Sequence, residues 1–323
     1  MRQVTEDWLC RAREAKRLAL IAHISPDGDT VGSTLALRLA FLSLGKAVDV
    51  ICDGTVPRTM RFLTGAESII RPWEAADRYD VAIAVDVSDR GRMGESASVF
   101  DAAGARLVVD HHGTNDGFGD VNFIRAGESA TCLLAYEIIC ALGVTITPEM
   151  ATCLMVGMST DTGHFQYPAT SAATLIAAGE LLKIGVDISE MTRRLYRTQS
   201  MQRVELTKRV YEKLHFELNN QVGVVSLTKQ DFAETGTTPD EADGLVNRAL
   251  EVEGVRMAVL ASEREDGVKM SLRAVEPDNV AGVAVAFGGG GHAQAAGCLI
   301  KEPLDKAVAM VLAEMEKRLG PTA

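Results

Sequence analysis

One imidazole and two carboxylates fall within seven residues of the stretch HISPDGDTVGS: His23, Asp27 and Asp29. Pro26 and Gly28 are turn formers and Ser33 is a good helix cap, so a polar loop leading from a strand into a helix accounts for those three. It does not account for the acids, which repel each other unless something positive lies between them. Compatible donors recur at three other places: Asp86 after VAIAV, Asp110, His111 and His112 after RLVV, and Asp161 in MSTDTGHF. Singly, each has a plain explanation as a satisfied histidine, a cap or a turn residue. Together they form a set of carboxylate oxygens and imidazole nitrogens without thiolate, which suits Mn, Mg or Fe better than a structural zinc. Asp27, Asp29, Asp86 and Asp161 bring four negative charges. One divalent ion would leave half of that charge, and two would cancel it. Ion pairs in two-metal hydrolases lie about 3.5 to 4 Å apart. Gly28 permits a tight or unusual backbone between Asp27 and Asp29, which lets them straddle such a pair, and Asp86 is the natural bridge. Ser25, Ser88 and Ser159 lie near these motifs, but nothing marks any of them as an activated nucleophile.

For these donors to meet, the elements carrying them must end at one edge. From Leu18 to about Val186, short β-rich runs (LALIAH, AVDVIC, DVAIAVDV, RLVVDHH) alternate with helical ones, among them Ser33 to Leu44. Such alternation predicts βαβ units around a mostly parallel sheet, whose ligands collect beyond the carboxyl ends of the strands. SATCLLAYEIICALG, PEMATCLMVGMSTDTG and TSAATLIAAGELLKIG read as three consecutive helices, with Asp161 near the end of the second. A basic helical segment reaches His215. A hairpin around Asn219 and Asn220, a helix over DEADGLVNRAL, two strands about a Glu-Asp-Gly turn, GGGGHAQAAGCLI as a loop feeding a strand, and a last helix running to Leu319 then follow. The division reads as a catalytic domain over 1–186, a helical linker over 187–215 and a substrate-binding domain over 216–323, with a cleft between the domains.

The chain has 323 residues, 47% hydrophobic and 24% charged, which is ordinary for a two-domain globular enzyme. No stretch approaches the roughly 18 apolar residues of a membrane span, and LALIAH is too short for a signal sequence, so a soluble cytoplasmic protein without a membrane partner is expected. The six cysteines show no CxxC and no zinc-like spacing and read as reduced core residues. A net charge of −11 argues against coating long duplex DNA. Seven basic residues between Arg193 and Lys213, with Glu205 and Glu212 among them, read first as a solvated, salt-paired helix face. Apolar helix faces beyond the need of one core leave room for a homodimer.

HISPDGDTVGS, VDVSD, VVDHHGTN and STDTGHF resemble the four successive motifs of the DHH phosphoesterases, and SLR with GGGGHAQAAG resembles their accessory nucleotide-binding domain, DHHA1. The resemblance covers nearly the whole chain. At this length, without fused domains, it is nearest the standalone branch of oligoribonucleases and pAp phosphatases, the nano-RNase type. It implies an α/β fold with a larger, mostly parallel-sheet DHH domain and a smaller α/β DHHA1 domain. It also implies two divalent ions, Mn²⁺ by preference, with Mg²⁺ or another divalent ion as substitutes. His23, Asp27 and Asp86 would hold one ion and Asp29, Asp86, His111 and Asp161 the other, with Asp86 bridging. His112 would face the scissile phosphate or its leaving oxygen, and Asp110 would support it. Arg273, the amides of Gly289, Gly290 and Gly291, and His292 would grip the substrate, with Asn115 a weaker candidate. The implied activity is hydrolysis of short oligoribonucleotides to 5′-mononucleotides and dephosphorylation of pAp. Cleavage of cyclic-di-AMP or its linear product pApA is the neighbouring alternative. GGGGHAQAAG disfavours a family II pyrophosphatase, a RecJ-type exonuclease would need further DNA-binding domains, and a non-catalytic nucleotide sensor would show a missing metal donor where none is missing.

Overall fold

Strand β1 (Arg17–Ile21) alternates its side chains between two layers, Leu18 and Leu20 entering one apolar cluster and Ala19 and Ile21 the other. That pattern requires helices on both faces of a sheet. The computed structural model describes residues 4–242 and 244–319 and shows such an arrangement. The first part of the chain runs α1 (Glu6–Glu14), β1, α2 (Gly28–Ser43), β2 (Ala47–Ile51), β3 (Ile69–Ile70), β4 (Val81–Val85), α3 (Ser96–Ala102), β5 (Ala105–Asp110) and β6 (Val121–Ile124). Helices α4 (Thr131–Ala141), α5 (Pro148–Asp161), α6 (Ala172–Ile184) and α7 (Ile188–Thr192) follow. The six strands are parallel in the order β3-β2-β1-β4-β5-β6. Strand order therefore reverses where β1 meets β4, the place where an open parallel sheet leaves a crevice at its carboxyl edge.

The expected start of the second helix is corrected. Helix α2 begins at Gly28, not near Ser33, because the Asp27 carboxylate accepts from the N–H groups of Asp29 and Thr30 and so caps it. Ser33 lies inside the helix, its hydroxyl donating to the Asp29 carbonyl at 2.6 Å. Asp29 thus rides on the first helical turn, directly above the end of β1.

Helices α2 and α5 lie unusually close. A Cβ at Gly157 would stand 2.1 Å from Cys132 Sγ and 2.8 Å from Asp29 Oδ1, so only glycine lets α5 approach both the carboxylate and α4. This contact brings the two ends of the donor set, Asp29 and Asp161, to one place.

The chain divides between Thr198 and Gln199 into two compact units, within the segment read as a linker. The second unit runs α8 (Met201–Lys213), β7 (His215–Glu217), β8 (Val222–Leu227), α9 (Lys229–Thr235), α10 (Asn247–Leu250), β9 (Met257–Glu263), β10 (Val268–Ala274), α11 (Ala281–Ala286), β11 (Gly290–His292), β12 (Ala295–Ile300) and α12 (Leu304–Glu316). Its mixed sheet has the order β11-β12-β10-β9-β8-β7, with only β8 and β9 parallel. Apolar clusters cover both faces.

Four expectations are corrected here. DEADGLVNRAL is not one helix: a 3₁₀ turn over Pro239–Ala242 and the short α10 are separated by Gly244 at φ +82°, while Asp243 lies outside the described residues. The glycine run is not a plain loop, since β11 pairs with β12. The last helix stops at Glu316. All six cysteines are free, but Cys10 and Cys140 are exposed rather than in the core. Among the described residues, no helix is long and apolar enough to cross a membrane.

The close α2–α5 approach gives a direct test. Gly157→Ala is expected to lower stability by about 1–3 kcal/mol through overpacking, read by urea unfolding. Adding Cys132→Ala, which removes the nearest obstructing atom, should restore part of the loss. A neutral single substitution would contradict the packing constraint.

Candidate metal centre

Each donor sits where an element starts or stops. His23 follows β1, Asp27 caps α2, Asp29 lies in the first turn of α2, Asp86 follows β4, His111 and His112 follow β5, and Asp161 closes α5. His23 Nε2 is 3.7 Å from Asp27 Oδ2 and 3.8 Å from Asp86 Oδ2. His111 Nε2 is 3.9 Å from Asp29 Oδ2, 3.6 Å from Asp86 Oδ1 and 3.2 Å from Asp161 Oδ2. Two triads able to hold an ion result, His23–Asp27–Asp86 and Asp29–His111–Asp161, and Asp86 lies against both. Asp27, 54% exposed, and Asp161, 23% exposed, form the open side, whereas His23, Asp29, Asp86 and His111 are buried.

Asp86 adopts φ +60°, a left-handed conformation that costs of order 1 kcal/mol outside glycine. It is held there by its N–H donating to the Val109 carbonyl, and by Thr30 and Thr131, whose hydroxyls donate to Oδ2 at 2.6 Å and Oδ1 at 2.9 Å. Asp29 is fully buried and accepts the N–H groups of Thr131 and Cys132 at 2.6 and 2.8 Å, so it caps α4 from a hundred residues upstream. Gly28 makes room for Thr160, whose Oγ1 would stand 2.3 Å from a Cβ there, and its φ is not left-handed. The expected unusual backbone at Gly28 is therefore replaced by a close approach.

The two adjacent histidines are oriented differently. His111 Nδ1 donates to the Glu128 carbonyl at 2.9 Å, which directs Nε2 at the carboxylates; burial would lower this ring, but Asp86 and Asp29 outweigh it and raise it. His112 Nδ1 bonds Asp110 Oδ1 at 2.7 Å, and Asn115 Nδ2 donates to Asp110 Oδ2 and to the Val87 carbonyl. A further grouping of Asp86, His111 and His112 is close enough for an ion, but His112 Nδ1, 3.8 Å from Asp86 Oδ1, already bonds Asp110. Asn115, expected near substrate, is seen to fix Asp110.

The electrostatics fit a missing positive charge. Burial, then repulsion by Asp86, pushes the Asp29 carboxyl up to about 7. Burial, then Asp29, pushes Asp161 well above the usual range. Burial alone would lower His112, but the Asp110 hydrogen bond and the charge of Asp86 outweigh it and raise the ring to about 9. Buried carboxylates driven toward protonation, beside an imidazole aimed at them, are what a divalent cation would reverse. The donors are oxygen and nitrogen only, which fits Mn²⁺ or Mg²⁺.

In the second unit, Arg273 pairs with Ala295, and Ala295 pairs with His292. Directly opposed residues share a face, so Arg273 and His292 leave the sheet on one side, two strands apart, with a small residue between them. Gly291, at φ +140°, would place a Cβ 2.5 Å from the Ala295 carbonyl, so its lack of a side chain serves the strand pairing. A Cβ on Gly290 would meet only open space. The basic run is mostly paired, as its first reading held: Arg193 and Arg194 with Glu190, Lys208 with Glu205, Arg209 with Asp231 and Glu234, and Lys213 with Asp231.

Sequence reasoning missed Thr30, Thr131 and the Glu128 carbonyl. A signal for Thr131 existed: Ala130 occupies the cap position of α4 and is a poor cap, so the first N–H groups needed a partner from elsewhere.

Residues 17–158 match the model of the DHH family, N-terminal domain, and residues 219–319 match the DHHA1 domain. A bifunctional oligoribonuclease and PAP phosphatase, NrnA of Thermus thermophilus, is 33% identical over 93% of this chain and 89% of its own length. An exopolyphosphatase-related protein from Bacteroides fragilis aligns with TM-score 0.91 at 27% identity, covering 97% of this chain and 95% of that one. RecJ from Thermus thermophilus in complex with Mn²⁺ shares the fold, with TM-score 0.57 and 16% identity over 98% of this chain and 55% of that one.

The charge balance sets a pH dependence. Freed of divalent ions, the folded protein holds the Asp29 proton up to about 7, whereas the unfolded chain releases it near pH 4, so stability falls as pH rises through that window. His112, raised to about 9, carries the same sign: its contribution is full below about 6.5 and is lost as pH rises through 9. Chelated protein is expected to show a lower Tm at pH 8.5 than at pH 5.5, and Mn²⁺ to raise Tm most at the higher pH. A chelated Tm that climbs between those pH values would contradict the assignment.

Proposed function

The chain belongs to the DHH family of phosphoesterases, with a DHHA1 domain at its C-terminal end, and on that premise we propose a two-ion hydrolase of short oligoribonucleotides and pAp. The observation that carries the proposal is the pair of donor triads meeting at Asp86. His23, Asp27 and Asp86 would hold one ion, and Asp29, Asp86, His111 and Asp161 the other, with Mn²⁺ as the assigned metal. Bound there, the ions would supply a water of lowered pKa and would cancel charge on the phosphate oxygens. The substrate class follows the 33% identical relative, named as an oligoribonuclease and PAP phosphatase.

The chain's own residues do the rest. Asp110, fixed by Asn115, holds His112 through Nδ1 and favours its protonated form. Nε2–H is then the donor that meets a phosphate oxygen or the leaving oxygen. Thr30 and Thr131 hold Asp86 so that its two oxygens face opposite triads. In the second unit, Arg273 and His292 share a sheet face suited to a terminal phosphate and a base, with the backbone of Gly289, Gly290 and Gly291 alongside. Exposed Leu175, Ile176 and Leu182 along α6 support self-association as a homodimer.

The test is turnover of pAp, pApA, a pentaribonucleotide and cyclic-di-AMP at equal concentration, with Mn²⁺ and with chelator. Rapid Mn²⁺-dependent cleavage of pAp and the linear RNAs is expected. A preference for cyclic-di-AMP would move the activity to second-messenger turnover, and no turnover despite bound Mn²⁺ would sink the mechanism. His112→Gln should lower kcat by about 10²–10⁴-fold while Mn²⁺ binding, followed by calorimetry, persists. Asp86→Asn should lose both.

A further inference from the structure

A cavity of about 230 Å³ opens at the carboxyl ends of β2 and β3, lined by Cys52, Gly54, Thr55, Arg61, Ile70 and Arg71 among others. It shares a wall with the metal centre. Cys52 Sγ donates to the carbonyl of His23 at 3.4 Å, and a Cβ on Gly54 would fall 2.1 Å from the carbonyl of Ile24, so the cavity floor is packed directly on the turn that carries His23 and Asp27.

Its chemistry is cationic. Arg71 is fixed by donating to the Gly54 carbonyl at 2.9 Å and to Thr55 Oγ1 at 3.2 Å, and Arg61 donates at long range, 3.4 Å, to the Val56 carbonyl. Neither guanidinium has a carboxylate within ion-pair distance among the described residues, and each keeps N–H groups for a ligand. Glu67 also lines the cavity, so two arginines face one acid. In a chain of net charge −11, two such arginines lining one cavity are a local reversal of sign. Beside them Trp73, 75% exposed, sets its ring 5.9 Å from the Arg71 guanidinium. An exposed indole beside fixed arginines suits stacking on a nucleobase while the arginines take a phosphate.

We propose that Arg61, Arg71 and Trp73 form a subsite for the nucleotide beyond the scissile phosphate, taking its phosphate on the two guanidinium groups and its base on the indole. The subsite rests on the oligoribonucleotide reading given above. A single-file strand lying along the carboxyl edge of the sheet, from the ends of β4 and β1 toward β2 and β3, would reach it, whereas pAp has no further nucleotide to place there.

Two measurements test it. The first is the ratio of kcat/KM for a pentaribonucleotide to that for pAp, in the wild type and in Arg61→Ala, Arg71→Lys and Trp73→Ala. The ratio should fall about tenfold in each, chiefly through KM for the RNA; an unchanged ratio overturns the subsite. The second is titration of the chelated protein with the pentaribonucleotide, followed by tryptophan fluorescence. The chain has two tryptophans, and Trp8 is fully buried, so quenching reports on Trp73. Quenching that is present in the wild type, absent in Trp73→Phe and shifted to higher RNA concentration in Arg61→Ala supports the subsite even if RNA turnover fails. Turnover of RNA without any quenching overturns the subsite and leaves the hydrolase reading standing.

Discussion

Mutual repulsion of carboxylates crowded at one edge of a parallel sheet is the constraint on which the rest of the first unit depends. Asp29 and Asp86 are buried and Asp27 and Asp161 are close by, so the fold must supply positive charge or lose the arrangement. It supplies part of it internally. The positive end of α4, through the N–H groups of Thr131 and Cys132, faces Asp29, and two threonine hydroxyls face Asp86. These partners hold the acids in place without neutralising them, as the raised Asp29 and Asp161 carboxyls indicate. The remaining charge is left to cations, which links metal binding to folding stability in this unit.

The same contacts explain why the helices pack as they do. Asp29 belongs to α2, caps α4 and lies against Gly157 of α5, so one residue ties three helices to one point above the sheet. Precision at a metal site requires rigid supports, and here the supports are helix ends and strand ends rather than free loops. The left-handed Asp86 is the cost of that placement: the chain must turn sharply after β4 for the carboxylate to reach both triads.

Much of this was legible in the residues alone. Strand ends announced themselves through apolar runs stopping at Asp or His, and parallel-sheet logic placed those ends together although His23 and His111 are far apart in sequence. What stayed hidden depended on partners that spacing cannot reveal. Ser33 looked like a cap because its residue type caps helices, yet Asp27 won the position by meeting two N–H groups at once. The glycine run read as open backbone for a ligand, and what the sequence hid is that Gly291 also serves the pairing of β11 with β12. Asn115 read as a ligand contact, and its clamp on Asp110 was not visible in the sequence. In each case a local property was readable, and a competing tertiary contact decided its use.

The pair His111 and His112 carries that lesson to the chemistry. Two identical side chains, adjacent in sequence and with ring centres 4.7 Å apart, could both have served as metal donors. Their second nitrogens separate them. A carbonyl can only accept, so the Glu128 carbonyl fixes His111 as an Nδ1–H donor and points its Nε2 at Asp161, Asp86 and Asp29, where Asp86 and Asp29 outweigh burial and raise the ring while no cation lies between them. Asp110 accepts from His112 Nδ1 and, with Asp86, raises that ring, so the nitrogen bound to Asp110 is not offered to a cation. Exchange of those two partners would exchange the roles. The orientation of the two rings is therefore set by Glu128 and Asp110, one through its backbone and one through its side chain.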